Sequence, residues 1–212
     1  MRMSNRMIAA LKVAVFLAAL VPFGRLAWLA VLDPGALGPN PAEFIVRSTG
    51  DWCLRFVVAT LAITPLRRWT GAAWPMRLRR MIGLYAFFYG VVHFASYIAF
   101  DHVFDVAAIL RDIVKRPFIT VGFACLVLML PLAITSTNAM VRRLGGRRWL
   151  NLHRAVYAVG VLGAVHYWMM VKRDITEPAI YAAIIAVLLA VRLVWSRRDR
   201  VRAQARAAQA AA

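Results

Sequence analysis

Long apolar runs separated by short arginine-rich breaks repeat along most of this chain. Six runs, at about residues 8–31, 52–66, 82–100, 118–135, 152–171 and 178–195, are candidate membrane spans. A perpendicular helix needs ~20 apolar residues to cross the hydrocarbon core and must satisfy its backbone polar groups internally. The second run is short and can be extended upstream through Phe44–Val46. The pattern predicts an all-α, polytopic membrane helix bundle of about six transmembrane helices over 1–196. A basic cytoplasmic tail over 197–212 is expected to follow it. That tail alternates Arg, Ala and Gln and reads either as a surface helix or as disordered chain.

Between the third and fourth runs, Asp101–Pro117 is too polar to cross. Val103, Val106, Ile109 and Leu110 still give it an apolar side, which suits an amphipathic helix on the outer surface. Residues 1–24 have the basic start and apolar stretch of a signal peptide. No small-x-small site follows Leu20 and no soluble domain comes next, so the segment is expected to be the first transmembrane helix.

Charge supplies an orientation. Six passes put both termini on one side, and positive residues mark the cytoplasmic one. Arg2, Arg6 and Lys12 open the chain, and Arg67, Arg68, Arg77, Arg79 and Arg80 fill the second break. Arg142, Arg143, Arg147, Arg148 and Arg154 fill the fourth, and Arg192 to Arg206 close the sixth run. Both termini are therefore expected in the cytoplasm, with the bacterial inner membrane as the location.

The net charge of +18 would suit nucleic acid, but the arginines sit at the ends of apolar runs, where they meet lipid headgroups. Membrane lipid is the expected contact, and no nucleic acid. Composition agrees: 62% of residues are hydrophobic and 17% charged, against about half and about a quarter in soluble domains. Cys53 and Cys125 have no metal-ligand spacing and read as buried free thiols.

Candidate chemistry lies in the histidines. His93, His153 and His166 sit inside apolar runs, and His102 follows Asp101 at a membrane edge. A buried imidazole needs a polar partner; in a helical membrane bundle that partner is most often haem iron. His93 lies about 11 residues beyond Ile82 and His166 about 13 beyond His153, which puts both at comparable depth in the outer half of the membrane. Two histidines on different helices at one depth suit bis-imidazole ligation of a b-type haem. Gly90 and Gly163 each precede a histidine by three positions and would leave room for a porphyrin edge; ordinary close helix packing is the alternative. Tyr85, Tyr89, His93 and Tyr97 form one stripe on a helix face.

His153 lies on the cytoplasmic side. On an ideal helix its side chain would point about 140° away from that of His166. The position thirteen before His93 is Arg80, so a histidine partner for His153 is missing. A second haem, an electron-entry point and a membrane-edge imidazole all remain open. Arg55 falls inside the second run and needs an anion: Asp51 one turn earlier, or a haem propionate. His102 reads as a surface imidazole beside Asp101.

Several segments together resemble the haem-binding MsrQ (YedZ) subunits of the ferric-reductase-like transmembrane family. They are Thr64–Arg68, Arg79–Leu84 leading to Tyr89 and His93, Ile134–Asn138, Trp149–Arg154 with Tyr157, and His166. The resemblance implies haem b, with the family's histidines at His93, His153 and His166 as the metal ligands. It also implies electrons from the quinone pool or a cytoplasmic flavin reductase, and a periplasmic molybdopterin reductase, MsrP, as acceptor. That partner would reduce methionine sulfoxide in oxidised envelope proteins. FMN is a family cofactor too, for which no motif is found here. No FAD/NADPH domain is found either, so a separate donor is expected.

The chain itself would be an electron-transfer subunit without bond chemistry of its own. A stand-alone quinol or ferric oxidoreductase is the nearest rival reading. A histidine-based metal or proton transporter is a poorer one, because almost no Asp or Glu lies within the spans.

Overall fold

The computed structural model describes residues 3–211. Nine α-helices follow in order: α1 Asn5–Leu32, α2 Pro41–Thr70, α3 Arg79–Asp101, α4 Val106–Lys115, α5 Pro117–Ile134, α6 Asn138–Leu144, α7 Gly146–His153, α8 Ala155–Met170 and α9 Thr176–Ala211. Two short 3₁₀ turns, Pro34–Leu37 and Trp74–Arg77, sit in the first and second connections. There is no strand among the described residues.

Local sequence sets the helix ends. Ser4, Asn40, Asp105 and Thr137 each accept a backbone N–H in the first turn of the helix they precede. Pro41 and Pro117 occupy first-turn positions, where their missing N–H is not needed. Gly71 closes α2 in the left-handed conformation that other residues avoid.

Four helices are by themselves long and apolar enough to cross a membrane: α1, α3, α5 and the first part of α9. The two remaining members of the predicted six, α2 and α8, lie at the centre. α2 carries Asp51 and Arg55 in its apolar stretch, and α8 has only 16 residues, a rise of about 24 Å. Their side chains Leu54, Val57, Leu61, Val159 and Ala164 form the core with Ala86, Met129, Ile185 and Leu188. α2 is thus shielded where it carries charge, α8 is apolar but short, and α1 and α9 supply the largest share of the exposed apolar belt.

Residue contacts fix the alternation of direction. Val46 meets His93 while Thr60 meets Gly83, so α2 and α3 are antiparallel. Phe94 meets Phe123 and Gly90 meets Leu126, so α3 and α5 are too. Phe118 meets His166 and Cys125 meets Val159, making α5 and α8 antiparallel. Arg55 reaches Tyr181 and Arg68 reaches Asp199, so α2 and α9 run the same way. Arg77 donates to Asn5 at 3.3 Å and Arg80 to Asn138 at 2.7 Å. The start of α1 and the basic part of α9 therefore share one end of the bundle, here the terminal end.

Two boundaries differ from expectation. The fifth run is not one helix, because the chain breaks at Arg154 between α7 and α8. The tail after Trp195 is neither a separate element nor irregular but the continuation of α9.

Candidate functional site: a pair of locked imidazoles

His93 projects from α3 and His166 from α8, and their ring centroids are 6.1 Å apart at an interplanar angle of 73°. Each ring is held the same way by a neighbouring helix. His93 Nδ1 donates to the Val46 carbonyl of α2 at 2.8 Å, and His166 Nδ1 donates to the Phe118 carbonyl of α5 at 2.8 Å. In an α-helix the carbonyl of residue i points at the N–H of residue i+4, so a ring donating to it must lie over residue i+4. Those residues are Gly50 and Gly122. A Cβ added at Gly50 would sit 3.0 Å from His93 Cε1, and one at Gly122 only 2.7 Å from His166 Cε1. Only glycine leaves that space.

A carbonyl accepts and never donates, so each Nδ1 carries the proton and each Nε2 keeps a free lone pair. That tautomer, fixed by an Nδ1–H bond to backbone carbonyl, is the usual state of a metal-binding histidine. Imidazole–metal bonds are about 2 Å long, so rings this close can share one ion. Among the described residues no group of three or more His, Cys, Asp or Glu could hold a metal ion. A donor set of two facing imidazoles suits iron whose other positions are filled by a porphyrin, better than a bare cation. The residues present therefore fit a bis-histidine haem.

Gly90 and Gly163 do not face this pair. The space beside Gly90 is taken by Cys53 Sγ at 3.4 Å and Leu126 at 3.5 Å, and that beside Gly163 by Leu54 at 3.3 Å. They are close-packing glycines and leave no porphyrin room; the glycines that make space at the site are Gly50 and Gly122, and what they admit is the imidazole rings. The pairing of a carbonyl with a glycine four residues on was the available signal. The tyrosine stripe turns largely toward α1: Tyr85 donates to the Phe16 carbonyl and Tyr89 to that of Ala19.

His153 stands apart, toward the terminal end. Its ring stacks on Trp149 at 3.9 Å, and its Nε2 lies 2.9 Å from the Thr135 hydroxyl. It lines a cavity of about 70 Å³ together with Thr60, Arg79, Ser136 and apolar residues of α3, α5 and α8. Because the chain breaks at Arg154, the ideal-helix angle between His153 and His166 does not apply. Arg79 lines this cavity with His153, while the exposed Arg80 side chain bonds Asn138.

Arg55 donates from Nε to the Tyr181 hydroxyl at 3.1 Å and lies 4.7 Å over the Trp52 ring. No ion pair joins it to Asp51 among the described residues. His102 is not paired with Asp101: its Nε2 lies 2.7 Å from the Tyr97 hydroxyl and 3.1 Å from the Asp112 carboxylate. Cys53 and Cys125 are free thiols, as expected. Arg192, counted from sequence with the basic end, turns into the bundle, bonding the Tyr157 hydroxyl and the Leu61 carbonyl.

The family model for the ferric reductase like transmembrane component matches residues 49–165. A protein of Herminiimonas arsenicoxydans is 57% identical over 90% of this chain and 87% of its own length. Others, of Ralstonia nicotianae and Rhodospirillum rubrum, are 58% and 54% identical over 88% and 89% of this chain and 86% and 90% of their own. All three are named as the haem-binding subunit MsrQ of protein-methionine-sulfoxide reductase. No solved structure matches the chain. The transmembrane bundle and the relatives that match most of its length converge: the chain belongs to the ferric-reductase-like transmembrane family, in its MsrQ haem-binding-subunit branch.

Proposed function

We propose that this chain is a b-type cytochrome that relays electrons across the bacterial inner membrane to a periplasmic methionine-sulfoxide reductase of the MsrP type. The observation that carries the reading is the twin arrangement of His93 and His166, each with its Nδ1–H on a backbone carbonyl and its Nε2 free. These two residues would hold a haem, which when bound would supply one-electron chemistry. Val46 and Phe118 orient the rings, Gly50 and Gly122 admit them, and the apolar belt excludes water. Val46 and Phe118 also raise ligand basicity through their carbonyl bonds.

Both termini are cytoplasmic in this reading, because the terminal end holds the arginine-rich breaks. Electrons from the quinone pool or a cytoplasmic flavin reductase enter near His153, whose cavity with Arg79 opens the terminal half of the bundle. His153 serves there as an entry point or as ligand to a second haem. Arg55, bonded only to a neutral tyrosine hydroxyl, keeps donors free for a propionate. The substrate chemistry belongs to the partner.

The test is the reduced-minus-oxidised spectrum and pyridine haemochrome of the purified protein and of His93→Ala, His166→Ala and His153→Ala. Loss of the b-type signal in the first two variants is expected, and the haem stoichiometry of the third assigns the role of His153. A folded, haem-supplied wild type without a Soret band would overturn the relay.

A further inference from the structure

Helix α4 packs with only half of its apolar arc. At about 100° per residue, Ile109, Ile113, Val106, Leu110 and Val114 share one side, and Arg111, Asp112 and Lys115 the other. Ile109 and Ile113 turn into the bundle. Val106, Leu110 and Val114 face out, 66%, 59% and 82% exposed.

The turn before the helix adds to this face. Val103 and Phe104 have φ of 46° and 64°, a left-handed conformation that side chains with a Cβ avoid and a β-branched one most of all. Both side chains point outward, 78% and 68% exposed. The turn is held there: Phe104 N–H donates to the Ile98 carbonyl and Asp105 N–H to that of His102. Behind it, the Asp112 carboxylate meets His102 at 3.1 Å, the Tyr97 hydroxyl at 3.3 Å and Arg116 at 3.3 Å. Backbone strain that is over-determined by its surroundings marks a site with a role. In water this segment would combine that strain with five large bare apolar side chains.

The flanks say what covers them. The stripe is continuous with exposed Phe100 of α3, part of the lipid-facing belt. Exposed Arg111 and Lys115 border its other edge, with long apolar stems that let a cationic head reach away from hydrocarbon.

We propose that residues 103–116 form an interfacial anchor seated in an anionic lipid bilayer. Val103, Phe104, Val106, Leu110 and Val114 lie among the acyl chains just under the headgroups, and Arg111 and Lys115 lie on lipid phosphates. The proposal is independent of haem binding. It removes α4 from the surfaces open to a soluble partner and leaves the connections around residues 33–40 and 171–175 at the same end.

The test uses the full chain in nanodiscs of phosphatidylethanolamine and phosphatidylglycerol, in a Cys53→Ala, Cys125→Ala background. Nitroxide labels are placed by Val106→Cys, Leu110→Cys and Val114→Cys, and by Arg111→Cys and Lys115→Cys. Collision with oxygen and with a water-soluble nickel chelate is read at each. The three apolar positions should favour oxygen and the two basic positions nickel. Nickel reaching Leu110 and Val114 as freely as Arg111 would overturn the anchor, as would exclusion of both reagents, which means a covering protein. Adding Arg111→Gln and Lys115→Gln should shift the label at Leu110 toward water in phosphatidylglycerol discs and not in neutral phosphatidylcholine discs. Equal shifts in both would overturn the pairing with phosphates.

Discussion

At His93 and His166 a single backbone carbonyl decides where each imidazole carries its proton, and a single glycine decides whether the ring can lie there at all. Gly122→Ala should therefore displace His166, because the new methyl would come within 2.7 Å of Cε1. Gly50→Ala, with 3.0 Å to His93, should do the same less severely, and Gly24→Ala, with nothing within 4 Å, should be silent. The ratio of Soret to protein absorbance should be lowest for Gly122→Ala, intermediate for Gly50→Ala and unchanged for Gly24→Ala. Equal ratios would remove the two glycines from the site. The histidines were legible as polar residues in apolar runs. Their partners were not, since Gly50 and Gly122 are distant in sequence and the i−3 glycines looked equally suitable. Arg79 and Arg80 show the same limit: adjacent on one turn, one lines the His153 cavity and the other faces Asn138.

At the scale of the element, α4 depends on its cap. The Ala108 amide N–H donates to the Asp105 carboxylate at 3.0 Å and holds its pKa below the ordinary carboxylate range. The sign follows: a depressed folded-state pKa contributes stability above the unfolded value of about 3.9 and loses it as pH falls through the lower folded value. Amide exchange over Val106–Leu110 should rise below that unfolded value as the cap is protonated, and Asp105→Ala should raise exchange already at neutral pH. α9 has a comparable clasp. Arg68 grips Asp199 through two bonds of 2.7 and 2.9 Å and lies over Trp195, which itself meets Trp69 edge-on. Asp199→Asn should speed proteolysis of the segment after Trp195 and leave the visible spectrum unchanged. A loss of haem in that variant would show that the clasp reaches the site. Element ends were readable from caps and prolines, but the break at Arg154 was not, because the apolar pattern runs on through it.

For the molecule as a whole, the side of the membrane follows from charge. Seven of its nine acidic residues lie in or beside the connections at the end away from the termini, Asp51 lies inside α2, and Asp199 alone is at the terminal end. Reporter fusions to Met1 and Ala212 should both signal the cytoplasm. A periplasmic signal from either would invert the relay and its entry point. The apolar pattern alone determined that this is an all-helical membrane bundle, because hydrocarbon leaves a chain of that composition few other ways to satisfy its backbone. The histidines and the segments around them determined the family. Only the tertiary structure decided that α2 and α8 are central, that His93 and His166 come together with free Nε2 atoms, and that Arg79 lines the His153 cavity. Periodicity states how far along a helix a residue lies and roughly which way it points. Which neighbour it meets depends on how helices distant in sequence are packed, and that is a property of the assembled bundle.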